Sequence, residues 1–181
     1  MKAIGIVGSP RKNSNTQILV EAILKGAEEK GMETKLFRLN EMNIKPCQGC
    51  NFCQENGICK QKDDMQKLYE AISTCDTLVL GSPIYMSYVT AQTKIFLDRL
   101  YALLKIGGEP RIPPGKKCVL VFTQGGGTDG KKIMENIAQI LKGAFNMEVK
   151  AIVGDNNLNT EGEVRKRKEL LKEAYSIGQE L

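Results

Sequence analysis

A chain of 181 residues, 41% hydrophobic and 26% charged, can bury a sizeable core in one domain (1–181), and its balance is that of an ordinary globular protein. The net charge of +5 does not mark a nucleic-acid binder: its densest basic run, residues 165–168, is bracketed by Glu161, Glu163 and Glu169, as on a solvated helix face. No stretch nears the ~20 apolar residues of a membrane span, and the apolar run before Gly8 is too short for a signal-peptide core, so the reading is cytoplasmic, where thiols stay reduced.

Residues 3–7 read as a buried strand ending at Gly8. A polar loop follows, and then Ile18, Leu19, Ala22, Ile23 and Ala27 recur at helical spacing up to Gly31. Strand, polar loop and helix N-terminus make an anion site in outline, because unpaired amides and the helix dipole point into the loop. The glycine spacing fits neither G-x-G-x-x-G nor the Walker pattern. The loop supplies hydroxyls on Ser9, Ser14 and Thr16, the amide of Asn15 and the guanidinium of Arg11, a set suited to a terminal phosphate monoester. The competing reading is a plain polar loop with an N-cap.

A second strand is predicted over residues 33–39, followed by a long aperiodic segment, 40–62, of a length that is usually functional in a compact domain. It carries Cys47, Cys50, Cys53 and Cys59, spaced Cys-x2-Cys-x2-Cys-x5-Cys. Closely spaced thiols on an irregular loop suit an iron–sulfur cluster, and the five residues before the last cysteine, Gly57 among them, let the loop curl back. Zinc, and a redox dithiol of Cys47 and Cys50, remain alternatives. Asp63 and Asp64 open the next helix, where acids favour its positive end, and Met65, Leu68, Tyr69 and Ile72 form its buried face.

Residues 76–81 read as a third strand, and 82–88 as a turn rich in apolar and aromatic side chains, a packed turn or a wall for a flat ring. Thr90 is positioned to cap a helix whose apolar positions run from Ala91 to Leu104. Residues 118–122 form a fourth strand, and the turn after it, 123–128, holds three consecutive glycines that permit close approach of a ligand or simply make it flexible. A helix over 131–145, a fifth strand over 149–153 and a closing helix over 162–178 complete the chain. Cys75 and Cys118 read as core residues.

Five strands alternating with five helices indicate a doubly wound α/β domain with a mainly parallel sheet. Its ligands sit beyond the carboxyl ends of the strands, at the topological switch point. Loops 8–16, 82–88 and 123–128 each follow a strand and gather there, offering phosphate ligands, an apolar wall and bare backbone. A phosphorylated flat heterocycle, FMN, satisfies all three. The absence of histidine excludes any histidine-dependent triad.

Gly8 to Thr16, the cysteine run, Asp63-Asp64-Met65 and Gly81-Ser82-Pro83-Ile84-Tyr85 together resemble the iron–sulfur flavoproteins, within the flavodoxin-like NAD(P)H-dependent FMN reductases. The resemblance implies a five-stranded flavodoxin-like sheet of order 2-1-3-4-5 and one FMN per subunit. It implies phosphate contacts from Ser9, Arg11, Ser14, Asn15 and Thr16, and ring contacts from Pro83, Ile84, Tyr85, Met86, Thr123, Gln124, Gly125 and Gly126. It implies a 4Fe-4S cluster on Cys47, Cys50, Cys53 and Cys59, near a subunit interface. The activity expected is an oxidoreductase moving electrons from ferredoxin or NAD(P)H to a small-molecule acceptor, in a homodimer or homotetramer without nucleic-acid or membrane partners. A flavodoxin-like carrier with no substrate of its own and a flavin-linked dithiol reductase are the alternatives.

Overall fold

The computed structural model describes residues 1–181. Five parallel strands form the sheet: β1 (Lys2–Val7), β2 (Glu33–Arg38), β3 (Thr77–Tyr85), β5 (Lys117–Gln124) and β6 (Glu148–Asp155). They lie in the order β2-β1-β3-β5-β6, and a short antiparallel strand, β4 (Tyr88–Val89), pairs with β3. Alternation along each strand separates two cores. Ile4, Ile6, Leu78, Leu80, Leu120 and Phe122 face α3 (Met65–Thr74), α4 (Ala91–Arg99) and α5 (Gly130–Phe145). Ala3, Val7, Val79, Val119, Val121 and Val153 face α1 (Asn15–Glu29) and α6 (Lys168–Gln179). Cys75 and Cys118 are buried in the first of these cores, and burial pushes both thiols above their usual pKa.

The sheet departs from the expected five strands. β3 does not stop at Gly81 but runs to Tyr85, so residues 82–85 are strand rather than loop. It then reverses through Met86 (φ 48°) and Ser87 (φ 56°) into β4. Two successive left-handed residues are what a tight hairpin turn requires, but Met-Ser lacks the Asn-Gly chemistry that would announce one. Cross-sheet pairing likewise carries β5 to Gln124, with Pro83 and Ile84 opposite Thr123 and Gln124.

Three other boundaries differ. Segment 40–62 is entered through a 3-10 turn, Leu39–Glu41, and holds a one-turn helix α2 (Phe52–Asn56), set between left-handed Asn51 and Gly57. The helix after Thr90 becomes a 3-10 turn at Leu100–Leu103. The closing helix is broken at Arg167, a 3-10 turn Glu163–Lys166 preceding α6.

Helix α1 is drawn close on two sides. A Cβ on Gly81 would lie 2.6 Å from Val20 and 2.8 Å from Thr16, so β3 needs a bare backbone where the helix begins. Against α6 the crossing is glycine on glycine: a Cβ on Gly26 would meet the Tyr175 carbonyl at 2.1 Å, and one on Gly178 the Ile23 carbonyl at 2.0 Å. This packing sets where the N-terminus of α1 emerges.

Candidate functional site

Ser14 caps α1, its Oγ accepting the Gln17 amide at 3.2 Å, and the Ser14 carbonyl accepts from Ile18. The first-turn amides of Asn15 and Thr16 have no partner within the helix, and both residues line a 440 Å³ cavity, a volume in the range of cofactor sites. The cavity lies at the carboxyl edge of β1, β3 and β5. Ser9, Arg11, Ser14, Asn15 and Thr16 line one end, Pro83, Ile84, Tyr85 and Met86 one wall, and Thr123, Gly125 and Gly126 another.

These side chains are positioned by bonds to one another. The Thr16 and Thr123 hydroxyls are 2.7 Å apart across the cavity floor. Asn15 donates to the carbonyls of Leu158 (3.1 Å) and Thr160 (2.8 Å) and accepts from the Val164 amide (3.0 Å). Its side chain therefore holds the loop after β6 in place. Arg11 donates to the Asn159 carbonyl at 2.9 Å from an exposed position. Arg38 and Asn40 in turn donate to the carbonyls of Arg11 and Pro10.

One residue of the expected set is not brought to the cavity. Gln124 lies at the end of β5, where its side chain donates to Asp129 and accepts from the Gly130 amide at 2.9 Å, closing the glycine turn from behind. Three unexpected residues complete the wall: Leu158, Asn159 and Glu161. The amides of Asn157 and Leu158 donate to the carbonyls of Gly125 and Gln124, at 2.8 and 2.9 Å, which fastens this loop to the glycine turn. The fifth strand itself signals it, because every loop after a parallel strand reaches the same sheet edge. Hydroxyls, free amides and a guanidinium at one end, with an apolar wall and bare glycine backbone beyond, fit a phosphorylated flat ligand such as FMN.

The cysteine segment makes a separate centre. Its base is stapled to the start of α3. Asp63 accepts from the amides of Lys45 (3.0 Å) and Met65 (3.1 Å), Asp64 accepts from the Asn43 amide (2.8 Å), and Gln61 donates to the Pro46 carbonyl (3.1 Å). Beyond their expected service to the helix dipole, the two acids thus close the loop. Deeper still, Asp63 forms a two-pronged ion pair with Arg99, at 2.6 and 3.0 Å, with 3% and 1% of their side chains exposed. Burial alone would raise the Asp63 pKa, but the Arg99 guanidinium and the donated amides outweigh it and hold the carboxyl below the usual range.

The second half of the loop is anchored by Gln54, which donates to the carbonyls of Tyr101 and Leu104, both at 3.2 Å. Cys47 and Cys50 are exposed, Cys59 half-buried and Cys53 buried. All four line one small cavity together with Arg99 and Tyr101. No three cysteine, aspartate or glutamate side chains stand close enough to hold a metal ion, so the thiols share a cavity without being drawn to one point. The donor set itself, four thiols beside a buried cation, fits an anionic iron–sulfur group.

Comparisons with known proteins agree with this fold. Residues 1–157 match the family described as NADPH-dependent FMN reductase. An iron–sulfur flavoprotein of Methanocaldococcus jannaschii is 36% identical over 87% of this chain and 78% of its own length. Another, of Archaeoglobus fulgidus, is 42% identical over 55% of this chain and 46% of its own length, so the chain spans about half of it. Among solved structures, an NAD(P)H:quinone oxidoreductase from Methanothermobacter marburgensis superposes with a TM-score of 0.74 at 19% identity, over 99% of this chain and 96% of that one. A flavodoxin from the domain Archaea superposes at 0.61 with 16% identity, over 99% and 95%. The last two establish a flavodoxin-like fold.

Proposed function

From the membership of this chain in the NADPH-dependent FMN reductase family, we propose that it is an FMN- and iron–sulfur-dependent oxidoreductase carrying electrons from ferredoxin or NAD(P)H to a small acceptor. The observation that carries the reading is the 440 Å³ cavity in which phosphate-type donors and an apolar wall meet at the sheet edge. Ser9, Arg11, Ser14, Thr16 and the first amides of α1 would hold the phosphate, Arg11 contributing charge and the amides direction. Pro83 to Met86 and Thr123 to Gly126 would flank the ring, Gln124 acting from behind by shaping the glycine turn. When bound, FMN supplies acceptance of a two-electron hydride and release of electrons singly. The hairpin tip at Tyr85 and Met86 would cover that chemistry from water, and Glu161 is the one carboxylate lining the cavity.

Cys47, Cys50, Cys53 and Cys59 would hold a 4Fe-4S cluster, with the base of their loop kept closed by Asp63 and Asp64. The M. jannaschii relative carries the name iron–sulfur flavoprotein, which supports an iron–sulfur group over zinc or a bare dithiol.

Protein made anaerobically should release FMN, identified by mass, and contain about four irons and four sulfides per chain, the content of one 4Fe-4S cluster. Release of FAD, or of no flavin from protein that FMN cannot reconstitute, would refute the flavin assignment. About one zinc with no sulfide would refute the cluster. Turnover of an artificial acceptor with NAD(P)H, compared with reduced ferredoxin, identifies the donor and separates an enzyme from a carrier.

A further inference from the structure

Arg99 ends α4 inside the protein, with only 1% of its side chain exposed, and forms part of the wall of the four-cysteine cavity. Its two terminal nitrogens are occupied, Nη1 by Asp63 and the Lys45 carbonyl at 2.7 Å, Nη2 by Asp63. Its Nε–H has no partner. A buried donor left without an acceptor is rare in proteins, because its desolvation is uncompensated. Here the unpaired donor belongs to a residue that walls the only place in the molecule where four thiols gather.

We propose that Arg99 is a positioning residue for the iron–sulfur group, its Nε–H and its charge directed at the sulfurs so as to favour the reduced form. The inference rests on the cluster reading above. Four thiolates around an iron–sulfide core carry excess negative charge, and one-electron reduction adds another. Net charge and hydrogen bonds to sulfur are the terms that set such potentials. A cation fixed in a low-dielectric wall stabilises the added electron more than a mobile surface lysine could. Asp63 governs how much of that charge is felt, because its carboxylate sits in a two-pronged pair with the guanidinium. Removing the Nε–H and removing the carboxylate should therefore shift the potential in opposite directions, whereas a merely structural clamp would loosen the loop in either case.

The test uses anaerobically prepared wild-type, Arg99→Lys and Asp63→Asn proteins. Iron and sulfide are counted first, and the cluster midpoint is then read by dithionite titration followed in visible and EPR spectra. Arg99→Lys keeps a cation beside Asp63 but lacks the Nε–H, and its midpoint should fall. Asp63→Asn keeps the Nε–H and unmasks the cation, and its midpoint should rise. Each shift is expected to reach about tenfold in the one-electron equilibrium, about 59 mV. Wild-type midpoints in both variants, or displacement of both in the same direction, overturns the proposal. If one variant sheds its cluster, the sign of the other decides. If both shed it while retaining FMN, Arg99 is a structural clamp and the proposal fails. Wild-type protein with no iron and sulfide overturns the cluster reading itself, a result obtained before any substitution is made.

Discussion

Gly125 and Gly126 are neighbours at the end of β5, yet an added methyl group would meet different surroundings. At Gly125 it would lie 1.9 Å from Asn159 Oδ1, while at Gly126 it would meet nothing within 4 Å. Gly126→Ala should therefore leave urea unfolding of the apo-protein within about 0.5 kcal/mol of wild type. It should weaken FMN binding by about 1–3 kcal/mol if the ring packs there. Gly125→Ala should weaken FMN binding as well, since the Asn159 side chain that lines the cavity must swing aside. Fluorescence titration with FMN reads the affinities, and an unchanged Gly126→Ala affinity would place the ring elsewhere. At this scale the sequence was informative where chemistry is local. The hydroxyls, the guanidinium and the helix start of residues 9–16 fall on one loop, and they line one cavity. The side-chain direction of Gln124 is not legible there, because strand alternation, a matter of sheet register, turns it toward Asp129 and Gly130. Arg99 was invisible because an arginine in an amphipathic helix reads as solvated until a carboxylate from another element meets it.

Among the elements, the loop that presents the cysteines depends on the buried pair between the start of α3 and the end of α4. Breaking such a pair leaves a charge without compensation, so Asp63→Ala should cost about 3–5 kcal/mol near neutral pH. Because the folded-state pKa of Asp63 is depressed, its contribution is fully present above the ordinary carboxylate pKa of ~4. It is lost as pH falls through the lower folded value. The acid limb of the stability curve should consequently be flatter in Asp63→Asn than in wild type; parallel limbs in urea unfolding at stepped pH would contradict this. Hydrophobic periodicity made the parallel strands and long helices legible, each large buried side chain contributing about 1.5–3 kcal/mol. The β3–β4 hairpin was not legible, because Met86 and Ser87 adopt left-handed conformations without glycine or asparagine. Nor was the 3-10 turn before α6, since a basic amphipathic pattern reads as one continuous helix across the break at Arg167.

For the whole molecule, the apolar side chains left outside are informative. Met86 is 99% exposed at the hairpin tip, with Tyr85 and Tyr88 about two-fifths exposed beside it, and Ile58 and Ile106 are 57% and 72% exposed. We propose that these residues meet a second copy of the chain in a homo-oligomer, most often a symmetric dimer in soluble proteins. Sedimentation velocity should give at least a dimer, and Tyr88→Asp should shift it toward monomer with the fold retained. A wild-type monomer at micromolar concentration would end the idea. Electron transfer between chains can then be read in hybrids pairing a chain without the clustered cysteines with one whose flavin site is disabled at Arg11 and Asn15. Ferredoxin-driven flavin reduction in that hybrid is the expected result, and none, with both cofactors confirmed, would keep the path within one chain.

The contact of α6 with α1 bears on where this protein can be cut. Kinship with the family runs through residue 157, and that stretch contains every strand and all six cysteines. A gene trimmed there would look complete on paper. It would lack the Leu158–Glu161 rim of the 440 Å³ cavity, the partners of Asn15, and the helix whose glycine crossing seats α1. Such a fragment should keep its cysteine loop while binding FMN at least tenfold more weakly than the full chain, as measured by flavin fluorescence. The stretch that matches the family and the unit that works as a flavin holder would then be two different lengths of the same polypeptide.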